Sequence, residues 1–142
     1  MVLAPDLPMI ATETKMRVQD RKTGASGKLQ ILRREESLRS RQYRGVFISV
    51  IYEWNSLEIL RTEMEPGSAL VDREIGSFPV VHFVIQGSPV FTVADRTCDL
   101  IPGDSIALRA DENYRISNAA SSRSIILTIL DMSSEPGKNG VT

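Results

Sequence analysis

Between Val46 and Leu130 the chain is built from short runs of β-branched, aromatic and aliphatic residues, cut by turn residues every few positions. Val46–Trp54 (VFISVIYEW) and Leu57–Met64 flank an Asn55-Ser56 turn, and Glu65-Pro66-Gly67 closes the second run. Val80–Ile85 ends at Gln86-Gly87-Ser88-Pro89, and Val90–Val93 follows. After the Pro102-Gly103-Asp104 turn come Ser105–Leu108, Tyr114–Ser117 and Ile125–Leu130. Many short strands punctuated by Gly, Pro, Asp and Asn predict an all-β sandwich or barrel. With 142 residues, the chain is long enough for one domain with a substantial core. Residues 1–27 read as an irregular N-terminal arm, 28–132 as the barrel, and 133–142 (SSEPGKNGVT) as a flexible tail. Gln30–Arg44 is ambiguous: its Arg and Glu content suits a helix, while Lys28–Arg33 reads equally as a first strand, and a strand is the expectation.

Charge and cysteine content exclude several functional classes. A net charge of −1, with 42% hydrophobic and 25% charged residues, gives no general attraction to nucleic acid or to a membrane surface. The basic residues Arg33, Arg34, Arg39, Arg41 and Arg44 cluster, but Glu35 and Glu36 interrupt them, so a solvated face is expected. Cys98 is the only cysteine, which excludes an internal disulfide. It lies on a predicted strand as a small buried hydrophobe. The opening MVLAPDLPMIATETK lacks a basic segment followed by a long apolar run, and no apolar stretch approaches a membrane span. The expectation is a soluble, cytoplasmic protein.

The stretch from Gly67 to Asn118 resembles the two-motif pattern of the cupin superfamily, G-x5-H-x-H-x4-E-x6-G followed by G-x5-P-x-G-x2-H-x3-N. Counted from Gly67, the histidine positions fall on Arg73 and Ile75, the glutamate position on Val80 and the closing glycine on Gly87. Counted from Gly103, the proline and glycine positions hold Arg109 and Asp111, the last histidine is Tyr114, and the asparagine is kept as Asn118. The best-matching part is Phe83–Asp104, FVIQGSPVFTVADRTCDLIPGD. The resemblance implies a single double-stranded β-helix barrel, with a homodimer formed through the outer sheet or exchanged N-terminal strands. In that family three imidazoles and a carboxylate converge on a metal. Here arginine repels a cation and isoleucine and valine offer no lone pair, so no metal or other cofactor is expected.

Strand alternation places Val80, His82 and Val84 on one face, which the resemblance turns towards the barrel interior. His82 is the only histidine. It is a candidate general acid/base or ligand anchor, or simply a hydrogen-bonded interior residue. By the same argument Arg73 and Ile75 point inward, and a buried arginine needs an anion, from a ligand or from a nearby Glu63, Glu74 or Asp72. Tyr114 would bring a hydroxyl to the pocket. A one-residue slip would instead turn Asp72 and Glu74 inward, where with His82 they would form an unconventional metal site. Arg109, Asp111 and Glu112 are expected at the barrel mouth as a solvated turn. Met64, Trp54, Phe47 and Phe83 are expected in the core or at a dimer contact.

Three readings follow. The first is a metal-free binding protein that holds a small polar or anionic ligand with Arg73, His82 and Tyr114, in an interior lined by Ile75, Val80, Val84 and Ile116. The second is a metal-independent isomerase or cyclase with His82 as base and Tyr114 as acid, the catalytic pair. The third is a non-catalytic structural or regulatory barrel. Neither nucleic acid nor membrane is an expected partner.

Overall fold

The computed structural model of the protein describes residues 30–133, which form ten strands and one short helical turn. The strands are β1 (Arg39–Tyr43), β2 (Val46–Trp54), β3 (Leu57–Met64), β4 (Ala69–Val71), β5 (Val80–Gln86), β6 (Val90–Val93), β7 (Arg96–Asp99), β8 (Ser105–Leu108), β9 (Tyr114–Ser117) and β10 (Ser124–Asp131), with α1 (Asp72–Ile75) between β4 and β5. Six strands form one sheet in the order β1-β2-β3-β10-β5-β8, and four form a second in the order β4-β9-β6-β7. All pairings are antiparallel. The expected arm at 1–27 and nearly all of the tail at 133–142 lie outside the described residues. No helix among the described residues is long and apolar enough to cross a membrane.

The two-residue period of each strand builds the core. On β3, β10 and β5 every second side chain is buried: Leu60, Thr62 and Met64; Ser124, Ile126, Thr128 and Leu130; Val80, His82 and Val84. Register aligns them into rows, so that Leu60, Thr128, His82 and Ile106 lie across four adjacent strands. Facing them from the smaller sheet are Leu70, Ile116 and Phe91, which are also in register. Residues of both sheets join in one core, with Phe91 its largest fully buried side chain. A two-layer antiparallel architecture of this kind buries one face of each sheet against the other.

Two bulges re-aim side chains. Val50 pairs with Leu60 but Tyr52 pairs with Ile59, so Ile51 is an extra residue that reverses the alternation of β2. Trp54 would otherwise continue the inward set of Val46, Ile48 and Val50; the bulge turns it out, and it is 61% exposed. Of the residues expected in the core or at a dimer contact, Met64 lies in the core and Trp54 does not. Phe47 lies on the outward phase of β2 and is also exposed. Ile85 is the extra residue of the second bulge, between the Val84–Ile126 and Gln86–Ile125 pairs, and it is exposed.

The ambiguous segment is neither a helix nor one long strand. Residues 30–38 carry no regular structure beyond a turn, and the strand begins only at Arg39. Leu38 N–H donates to the Val50 carbonyl and Arg61 donates to the Arg34 carbonyl, so this stretch is tied to the sheet without joining the ladder. The clustered arginines are dispersed: Arg39 is clamped by Glu53 and Glu58, and Arg41 reaches α1.

Gly87 and Asn118 fix the ends of the barrel motif. Gly87 has φ +88°, and a Cβ there would lie 2.7 Å from Ser124 Cα and 2.8 Å from the Arg123 carbonyl oxygen, with Ser124 Oγ closer still. No side chain fits without moving β10. Asn118 is buried. Its Nδ2 donates to the carbonyls of Met64 and Ser122, while its backbone N–H and C=O pair with Ser68 and Gly67. It therefore stitches the end of β3 to the start of β4. Gly87→Ala is expected to lose at least about 2 kcal/mol of unfolding free energy, from left-handed strain plus backbone overlap, as measured by urea denaturation. A loss below about 0.5 kcal/mol would contradict the contact.

Candidate functional site

Strand β5, between β10 and the edge strand β8, carries His82 into the interior, where its exposure is 0%. Its cross-strand neighbour on β10 is Thr128, whose Oγ1 lies 2.7 Å from His82 Nδ1. From the opposite sheet, the Tyr114 hydroxyl lies 3.1 Å from Nε2. Both ring nitrogens are thus partnered, by one hydroxyl from each layer of the sandwich. The Phe91 ring packs against the imidazole at 5.2 Å between centroids, tilted by 49°, and the Tyr114 ring meets it edge-on at 5.3 Å.

Electrostatics follow from this enclosure. Burial holds the imidazole neutral, pushing its pKa down to about 3. Burial also raises the Tyr114 phenol far above its ordinary value, and the Asp72 carboxylate nearby adds to the effect. A neutral ring can donate at one nitrogen and accept at the other. With Tyr114 held protonated, its hydroxyl can donate to Nε2 while Nδ1–H donates to Thr128.

Two further hydroxyls are buried on the same sheet, one and two rows from Thr128. Thr62 on β3 and Ser124 on β10 are buried with 1% and 0% exposure, and the side-chain oxygens have no hydrogen-bond partner among the described residues. Each alternates inward on its strand with apolar neighbours. Burying an unpartnered hydroxyl costs about 1–3 kcal/mol.

The other sequence-derived candidates divide. Val80, Val84, Tyr114, Ile116 and Ile75 are buried, and all except Val84 belong to the common core. Arg73 is a correction: it does not share an inward strand face with Ile75. Residues 72–75 instead make one helical turn, closed by Gly76 N–H donating to the Asp72 carbonyl, and Arg73 points to solvent. The turn is favoured because Glu74 Oε1 accepts the Val71 N–H at its start. The anion-gripping role expected of Arg73 inside the barrel therefore has no geometric basis. The slipped register is also not adopted, since Glu74 is engaged with Val71 and Asp72 Oδ1 faces the Tyr114 N–H at 3.4 Å. Among the described residues no three His, Cys, Asp or Glu side chains are grouped so as to hold a metal ion. Arg109, Asp111 and Glu112 form a turn closed by Arg109 N–H donating to Glu112 Oε1, as expected of a rim loop. Sequence reasoning missed Thr128, Thr62 and Ser124. Their one signal was a hydroxyl at an inward phase of an otherwise aliphatic strand.

The architecture is that of the cupin superfamily. The chain superposes on a cupin superfamily protein from Desulfitobacterium hafniense with a TM-score of 0.54 and 19% identity, covering 62% of this chain and 78% of that one. It is similar to KdgF from Halomonas sp. (TM-score 0.55, 13% identity, 64% of this chain and 82% of the other). It is also similar to a cupin superfamily sugar phosphate isomerase from Silicibacter pomeroyi (TM-score 0.53, 14% identity, 61% and 59%). At these identities the likeness is one of fold. No family model matches the chain, and no curated protein matches it in sequence.

The buried neutral histidine links stability to pH. Unfolded, the imidazole protonates below about pH 6.5; folded, it stays neutral down to about 3. Stability from this group is therefore fully present above 6.5 and is lost as pH falls towards 3, by about 2 kcal/mol at pH 5. Urea unfolding at pH 7 and pH 5 is expected to show that loss in the native protein and its absence in His82→Phe. Equal losses in both would contradict the assignment.

Proposed function

We propose that the protein is a metal-free cupin-fold binding protein that takes a small, uncharged polar organic molecule inside the barrel. The observation that carries this reading is the buried polar set of His82, Thr128 and Tyr114, with Thr62 and Ser124 on the same sheet, in a core that is otherwise largely apolar, two of its hydroxyls lacking partners among the described residues. A barrel serving only as scaffold gains stability from aliphatic residues at those positions, whereas a ligand that supplies donors and acceptors satisfies them. The ligand is uncharged in this reading because Arg73 stands outside and His82 is held neutral. Its anchoring groups are the His82–Tyr114 pair and the Thr62 and Ser124 hydroxyls, and Val84 and Ile116 form apolar walls. A ligand donor or acceptor would take the place of the Tyr114 hydroxyl at Nε2.

The same geometry disfavours the isomerase or cyclase reading. A base whose pKa is about 3 is far from the near-neutral value that suits general-base catalysis, and a phenol raised by burial is a weak acid. Binding needs neither proton transfer.

Native mass spectrometry of the gently purified protein, compared with its denatured mass, tests the proposal. The expected result is an excess equal to one small organic molecule per chain, lost on denaturation and absent from folded His82→Phe. A bare chain at every stage of purification, or an excess equal to a metal ion, would refute it.

A further inference from the structure

Away from the barrel interior, a cavity of about 270 Å³ opens at the β1 edge of the larger sheet, lined by Arg39, Ser40, Arg41, Val50 and Glu58. Three arginines among the described residues are half-buried: Arg39, Arg41 and Arg61. Arg39 reaches the carboxylates of Glu53 and Glu58, and Arg61 reaches that of Glu63. Arg41 differs from both. Its Nη1 donates to the backbone carbonyl of Glu74 at 3.1 Å, and no carboxylate among the described residues lies within ion-pair distance. Glu58 across the cavity acts on Arg41 only through space; a half-buried guanidinium with no carboxylate in direct contact keeps donors to spare, and its planar fork matches a carboxylate.

We propose that this cavity is a carboxylate-binding site, in which the free edge of the Arg41 guanidinium grips a small monocarboxylate whose short apolar part lies against Val50. The remaining wall selects the charge of the ligand. Glu58 stands in the cavity, hydrogen-bonded at 2.7 Å to Arg39, and a dianion would meet its field. Burial raises the Glu58 pKa above the ordinary carboxylate value, and the Glu53 carboxylate is the more strongly held of the two partners of Arg39. A single negative charge is therefore compatible with the lining. The Arg41 hydrogen bond to Glu74 leaves its other N–H groups to the ligand. The site is separate from the barrel interior and does not depend on His82.

A titration of the full chain with sodium propionate at fixed ionic strength, followed by ¹H–¹⁵N correlation spectra, tests the proposal. Saturable shifts are expected at Arg39–Arg41, Val50 and Glu58. Arg41→Gln is expected to weaken binding at least tenfold with spectral dispersion retained, and Arg41→Lys, which keeps the charge but not the fork, to weaken it several-fold. His82→Phe is expected to leave the titration unchanged, which separates this site from the interior one. Shifts that do not saturate, or affinities unaltered in Arg41→Lys and Arg41→Gln, would overturn the proposal. If Arg41→Gln does not fold, Arg41→Lys alone decides between the two results.

Discussion

An imidazole with no exposure, sealed between two sheets, must find a partner for each of its nitrogens within the protein. That requirement ties β5 to β10 through Thr128 and ties the larger sheet to the smaller one through Tyr114. Around this pair the layers meet through side-chain packing of Phe91, Ile116 and Leu60, and Asn118 clips their end at Met64. A charged imidazole cannot be accommodated there at ordinary pH, so the same burial fixes the protonation state, the ring orientation and the acid sensitivity of the fold.

The second determinant is the helical turn at Asp72–Ile75. It stands where the resemblance predicts an inward-facing strand, and it removes Arg73 from the interior while keeping Ile75 buried in the core. Glu74 closes its start and Arg41 holds its end from β1. The turn also brings Asp72 near Tyr114, which adds to the cost of ionising the phenol. An interior built from neutral hydrogen-bonding groups results, and Arg41 lies apart from it at the sheet edge, bonded to the Glu74 carbonyl.

The strands were legible where alternation was long enough to count. Val80–His82–Val84 and the run from Ser124 to Leu130 follow a strict two-residue period, and the inward placement of His82 came directly from it. Gly67, Gly87 and Gly103 all carry positive φ, in keeping with their place at turns. Four features were not legible. Ala69–Val71 is three residues long, too short for a period to register. The bulge at Ile51 reverses the β2 phase without any glycine or proline to mark it, so the outward turn of Trp54 leaves no trace in the sequence. Asp-Arg-Glu-Ile has no period of its own, and a local Glu74–Val71 hydrogen bond decided for a helical turn. The Thr128 role depends on register between strands 46 residues apart in sequence, which composition cannot supply. Asn118 was placed correctly as a kept position, while its function as a clip between β3 and β4 emerged only from its hydrogen bonds.

The central claim is that His82 is a neutral, doubly hydrogen-bonded ring. Long-range ¹H–¹⁵N correlation of the imidazole tests it most directly, because His82 is the only histidine and its signals need no assignment among others. A single neutral tautomer that persists unchanged from pH 8 to pH 4 in the folded protein is the expected result. Titration of the ring with a midpoint near 6.5 while the protein remains folded would show an imidazole open to solvent and contradict the account.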